Sequence, residues 1–256
     1  MSGVQLFHRV SGAGSPVVLV HAIGCDHRMW DALAAALEPR HRVIRFDVRG
    51  HGRSLVTPRP YTLEQLADDV AALMDDLAIE RAHYVGLSMG GMIGQAFALR
   101  HADRLDRLVI ANSTSSYGPD GAKTWQARVK AVEEGGLEAI RDMVAARYFS
   151  EAFRATHAKV VDQVMERFVA TPREGYLGCC DAIARLDFTA KLPQIRARTL
   201  VLAGALDAGT PPAMSDVIAR GIPGARLEMV FGAAHLAAVE APTAFNAAVL
   251  GFLGAQ

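Results

Sequence analysis

Apolar positions in the first 112 residues follow two alternating periods. The runs VQLFHRV at 4–10, PVVLV at 16–20, RVIRF at 42–46, AHYVGL at 82–87 and LDRLVIAN at 105–112 have the length and composition of strands. Between them, helical spacing predicts helices over 28–38, from Thr62 to about Ala78, and from about Met89 to His101. Thr62 and Gln65, ahead of apolar Leu66, Val70, Leu73, Met74 and Leu77, have the form of a capping box opening an amphipathic helix. The turn-rich SGAGS predicts that the first two strands form a hairpin, and the unbroken PVVLV reads as a buried central strand. Alternation of strand and helix implies a mostly parallel sheet with right-handed crossovers.

From about Ser113 to Leu192 the pattern is helical, with stretches at 123–134, 137–149 and 151–170 and no strand. Strand signals return at TLVLAG (199–204) and ARLEMV (225–230), separated by a helix near 212–220 and followed by one after Pro242. The expectation is one α/β domain over 1–256, its core formed by 1–112 and 193–256 and split by an inserted helical cap at about 113–192. Ligands of such open sheets bind beyond the carboxyl ends of the strands.

Composition narrows the function classes. With 51% hydrophobic and 21% charged residues the chain has the makings of a packed core, and 27 basic against 27 acidic residues leave no net field to attract nucleic acid. The longest uncharged run, Ala82–Leu99, is broken by glycines, His83 and Gln95, so no membrane span is expected. The opening MSGVQLFHRV lacks the charge and apolar blocks of a secretory signal, and Ser2 stands where myristoylation requires glycine. Cys25, Cys179 and Cys180 suit neither a disulfide framework nor a zinc site, and Cys25 reads as a small buried hydrophobe. The histidines, including His21, His27 and His51, show no metal-ligand spacing. A cytoplasmic protein acting on a small molecule, without metal or cofactor, is expected.

The chemistry is carried by GLSMG at 86–90, which follows a strand and opens a helix, the setting of a nucleophile elbow. Gly86 and Gly90 allow a tight turn that projects the Ser88 hydroxyl. A serine requires a base and the base an orienting acid. Asp207, just beyond TLVLAG, and His235, just beyond ARLEMV, supply them on the same sheet edge and in the chain order Ser88, Asp207, His235. The loop HAIG after PVVLV offers the Ile23 N–H as one oxyanion donor, and the Met89 N–H at the helix start offers the second.

These features resemble the α/β-hydrolase superfamily over essentially the whole chain, and within it the 3-oxoadipate enol-lactonases. The resemblance is carried by DHRMW (26–30), RFDVRGHGRS (45–54), AHYVGLSMGGMIGQ (82–95), the ANS at 111–113, WQAR (125–128), GYLGCCDAI (175–183) and AGALDAGTPPAM (203–214). Two departures, His21–Ala22 where those enzymes usually carry Asn-Ser and Ala184–Arg185 where they carry Arg-Asp, leave the three triad positions untouched.

The resemblance implies a serine hydrolase that opens a small enol-lactone. An acyl substrate with a free carboxylate calls for an arginine, which makes Arg128 and Arg185 in the cap the candidate substrate-binding residues, with Trp125 either lining the pocket or packing the cap. The same triad also suits a carboxylesterase, another lactonase, a carbon–carbon bond hydrolase or a cofactor-free perhydrolase. A ligand receptor with little turnover is the reading from a different class.

Overall fold

The computed structural model describes residues 4–254; Ser2, read above against a lipid anchor, lies outside the described residues. The apolar runs form strands β1 (His8–Ser11), β2 (Ser15–Val20), β3 (His41–Phe46), β4 (Ala82–Leu87), β5 (Leu105–Ala111), β6 (Arg198–Gly204) and β7 (Arg226–Val230). They make a seven-stranded sheet in the order β1-β3-β2-β4-β5-β6-β7, parallel except that β1 runs antiparallel to β3. The inner strands are covered on both faces, which is why Val17–Val20, Val109–Ala111 and Leu200–Leu202 are uniformly apolar and buried.

Helices α1 (Asp31–Leu37), α2 (Leu63–Asp76) and α3 (Met89–Arg100) occupy the first crossovers. Five more, α4 (Gly121–Gly135), α5 (Arg141–Tyr148), α6 (Glu151–Thr156), α7 (Ala158–Val169) and α8 (Arg173–Ile183), lie between β5 and β6. The chain then adds α9 (Pro212–Gly221), α10 (Ala237–Glu240) and α11 (Pro242–Gly254). Thr62 caps α2 by accepting from the Gln65 N–H at 3.0 Å; no return bond from the Gln65 side chain is present among the described residues. No helix among them is long and apolar enough to cross a membrane.

Three local expectations are corrected. The first two strands do not form a hairpin, because β1 pairs with β3 and leaves β2 between β3 and β4. Gly12, at φ +71°, takes the chain across the α1–β3 connection, where a Cβ would stand 2.3 Å from the His41 carbonyl oxygen and 2.7 Å from that of Glu38. SGAGS is thus a turn, but one whose direction is set by a distant segment. The helix expected over 28–38 starts as a 3-10 turn, His27–Trp30, capped by the Asp26 carboxylate. The stretch 151–170 is two helices broken at His157 (φ −126°, ψ 37°), whose ring stacks on Phe153 at 4.3 Å instead of continuing the turn.

Gly12 and Gly118 share φ +71°, but a Cβ at Gly118 meets nothing within 4 Å. Gly118→Ala should therefore cost about 1 kcal/mol of unfolding free energy for the left-handed conformation alone. Gly12→Ala should cost clearly more, because it adds the collision, and urea denaturation of the two variants side by side measures the difference.

Candidate active site

The register of the sheet sets which residues meet at its carboxyl edge. Val20 pairs with Gly86, Gly86 with Ile110, Ile110 with Val201, and Gly204 with Val230. The residues that follow these strand ends therefore stand side by side: Ile23, Ser88, Asn112, Asp207 and His235.

Ser88 has φ 58° and ψ −116°, a conformation costly for a residue with a side chain. It is held there by α3 pressing on the ends of β2 and β4. A Cβ on Gly90 would lie 2.0 Å from the Val20 carbonyl oxygen, and one on Gly86 2.2 Å from that of Gly90, so neither position admits a larger residue. The Ser88 N–H donates to Ala111 O at 2.8 Å, and its carbonyl accepts from Ser113 Oγ at 2.9 Å. The turn thus aims the hydroxyl away from the sheet, 2.8 Å from His235 Nε2.

His235 Nδ1 in turn lies 2.8 Å from Asp207 Oδ2. With that nitrogen protonated, Nε2 is left as the acceptor of the Ser88 proton. Asp207 Oδ2 also accepts from Asn112 Nδ2 and Thr210 Oγ1, each at 2.9 Å, and Oδ1 accepts from the N–H groups of Gly209 and Thr210 at 2.7 and 2.9 Å. Burial opposes the charge of Asp207, but His235 and this set of donors outweigh it and hold the carboxyl at about 2. Ser88, Asp207 and His235 are only 5%, 4% and 4% exposed, so the arrangement is shielded from water.

The N–H groups of Ile23 and Met89 have no acceptor within the protein among the described residues. Each lies three residues past one of the paired residues Val20 and Gly86, and Met89 opens α3, where the helix dipole favours negative charge. Met89 directly follows Ser88, and Ile23 lies on the loop after β2, the strand that pairs with β4. The HAIG loop is fixed from below by two buried histidines: His21 Nε2 accepts from the Val48 N–H at 2.8 Å, and His51 Nε2 accepts from the Gly24 N–H at 2.9 Å. Burial lowers the pKa of His21 and brings that of His51 down to about 3, which preserves both as acceptors.

Arg128, on α4, is 9% exposed and has no carboxylate partner among the described residues; its Nε and Nη2 make no hydrogen bond. It lies over the rings of Trp125 at 5.1 Å and Tyr176 at 5.8 Å, and the buried Trp125 Nε1 is likewise without an acceptor. An aromatic series connects this cation to His235. His235 stacks on Tyr148 at 5.8 Å, Tyr148 meets Phe168 at 6.4 Å, and Phe168 meets Tyr176 at 5.6 Å. Arg185 is not brought to this group: it is exposed and donates to the carbonyls of Asp181 and Tyr61, each at 3.0 Å.

The family model for the alpha/beta hydrolase fold matches residues 15–242. The chain belongs to the alpha/beta hydrolase family. It is 36% identical to 3-oxoadipate enol-lactonase 2 of Acinetobacter baylyi, over 91% of this chain and 86% of that one. The structure is similar to that of the enol-lactonase from Burkholderia xenovorans LB400, with a TM-score of 0.94 and 37% identity over 98% of this chain and 96% of the other. It is also 33% identical to a putative carbamate hydrolase RutD of Caulobacter sp. strain K31, over 98% of this chain and 96% of that one.

Two residues of this hydrolase that the sequence did not single out belong to the site. Asn112 follows β5 in a left-handed conformation (φ 45°) and donates both to Asp207 and to the Ala234 carbonyl at 3.2 Å, so it joins the Asp207 loop to the His235 loop. A polar residue at the carboxyl end of the strand beside Ser88 was the available signal. Tyr148 has none, since it reads as one of two adjacent aromatic residues at the end of a surface helix. Asp26, His27 and Asp47 place potential ligand atoms within 4.8 Å of one another, but Arg28 already bonds both oxygens of Asp26, and Asp47 accepts from His27 Nδ1 and from the His27 and Arg53 N–H groups. The group is a loop brace in which a guanidinium takes the cation's place.

Because the Asp207 carboxyl sits at about 2 against an ordinary 3.8, its contribution to stability is complete above about pH 4 and is lost as pH falls through 2. The unfolded state binds the proton first, which fixes the sign. The gap in unfolding free energy between the parent and Asp207→Asn should narrow by about 2 kcal/mol from pH 5 towards pH 2, read from urea titrations at stepped pH.

Proposed function

We propose that this hydrolase opens a small enol-lactone bearing a free carboxylate, with Ser88 as nucleophile, His235 as general base and acid, and Asp207 as the acid that orients it. The segment between β5 and β6 serves as the cap that seats the substrate, in a cytoplasmic enzyme whose three cysteines are free and buried. The observation that carries the reading is Arg128: a buried guanidinium without a counter-ion is costly, and a substrate carboxylate received between Arg128 and Trp125 Nε1 supplies the missing charge. Likeness to enol-lactonases over nearly the whole chain supports the same substrate class.

Ser88 Oγ adds to the ring carbonyl carbon as its proton passes to His235 Nε2, and the carbonyl oxygen, now an anion, is received by the Ile23 and Met89 N–H groups. The tetrahedral carbon reforms its carbonyl by expelling the ring oxygen, an enolate, which takes the proton from His235 and tautomerises to a ketone. That oxygen leaves more readily than an ordinary alkoxide. A water deprotonated by His235 then attacks the acyl-serine, Ser88 recovers its proton, and the product departs with a second carboxylate. Throughout, Asp207 holds the histidine tautomer and balances the imidazolium.

Turnover of 3-oxoadipate enol-lactone, generated in situ from muconolactone, beside aryl esters and a small carbamate, tests the substrate class. The enol-lactone should have much the highest kcat/KM; a preference for the carbamate or a neutral ester would refute the assignment. Ser88→Ala should lower kcat by ~10³-fold or more with thermal stability retained. In Arg128→Met the ratio of kcat/KM for the lactone to that for a neutral ester should fall ~100-fold, while the unfolding free energy does not decrease, because the substitution removes a desolvated cation.

A further inference from the structure

A backbone donor points where the peptide planes on either side of it are held. The Ala22 carbonyl accepts from His21 Nδ1 at 2.8 Å and from the Cys25 N–H at 3.1 Å. The Ile23 N–H, trans to that carbonyl, is thereby turned the opposite way and left without a partner. The next plane is gripped at both ends, since the Gly24 N–H donates to His51 and the Ile23 carbonyl accepts from the Tyr148 hydroxyl. Three of these four side-chain or main-chain holds come from the loops after β2 and β3. Tyr148 alone comes from the helices between β5 and β6, as the last residue of α5.

The same tyrosine also contacts the base. Its ring stacks on His235 at 5.8 Å and 22°, and its main-chain carbonyl accepts from the Leu236 N–H at 2.9 Å. Burial raises the phenol well above its ordinary range, so it remains a donor throughout the working pH range.

We propose that Tyr148 is a positioning residue that sets the Ile23 oxyanion donor and the His235 ring in fixed relation to each other. The proposal rests on the reading of Ser88 as nucleophile. An anion forms at the Ile23 N–H only after Ser88 has added, so loosening Ile23 weakens the transition state and spares ground-state binding. A residue that merely packed the helices onto the core would change stability and leave the rate of the folded enzyme alone.

Tyr148→Phe keeps the ring on His235 and removes only the hydroxyl. In the full-length enzyme its kcat on an aryl ester should fall ~10-fold with KM within about twofold. Phenylboronic acid gives an independent readout. Ser88 Oγ adds to boron, its proton passes to His235, and one boron-bound oxygen occupies the place of the oxyanion. Affinity for it, measured by calorimetry on the folded fraction, should fall by the same factor as kcat. Tyr148→Leu, which also loses the stacking, should fall further on both measures. Values of kcat and boronate affinity within twofold of the parent in Tyr148→Phe would overturn the proposal. So would a fall in kcat without a matching loss of boronate affinity, or a change confined to KM. Boronate binding that survived Ser88→Ala would overturn the nucleophile reading itself, and the proposal with it.

Discussion

The carboxyl edge of the sheet depends on how closely α3 approaches the ends of β2 and β4. With no side chain at Gly86 or Gly90, helix backbone rests on strand backbone, and the chain can reverse direction only through the left-handed conformation of Ser88. That turn leaves the first amide of α3 free beside the hydroxyl, so one packing contact positions both the Ser88 side chain and the Met89 N–H. The neighbouring strands place Ile23, Asn112, Asp207 and His235 relative to it through sheet register. Precision at the site is therefore a property of the sheet, and the loops carry it outward by only a few residues.

Two buried charges at the site are treated in opposite ways. Asp207 is given five donors, from His235, Asn112, Gly209 and both groups of Thr210, and its ionised form is strongly favoured. Arg128 is given two aromatic faces and, among the described residues, no carboxylate. The satisfied charge has a fixed task within the protein. The unsatisfied one cannot escape burial by losing its proton, and in the proposed function its counter-charge comes from the substrate.

The parts of this arrangement that were legible in the sequence are those with a local signature. The elbow at 86–90 announces itself by glycines around a serine between a strand and a helix, and the positions of Asp207 and His235 follow from counting strand ends. Thr62 caps its helix as its spacing predicts. What was not legible depends on distant contacts: SGAGS is visibly a turn, but its direction is decided by the carbonyls of Glu38 and His41. Arg128 and Arg185 are equivalent in sequence, and only tertiary packing buries the first and leaves the second exposed. Tyr148 is invisible for the same reason, since its partners Ile23 and His235 lie 125 and 87 positions away.

The backbone strain at Ser88 also bears on selection. A glycine at that position would adopt φ 58° without penalty, so the serine proposed as the nucleophile is a residue that folding alone would discard. Variants of this protein chosen for heat resistance without regard to turnover would drift toward an inert turn, and directed evolution of its robustness has to be coupled to a catalytic readout at every round.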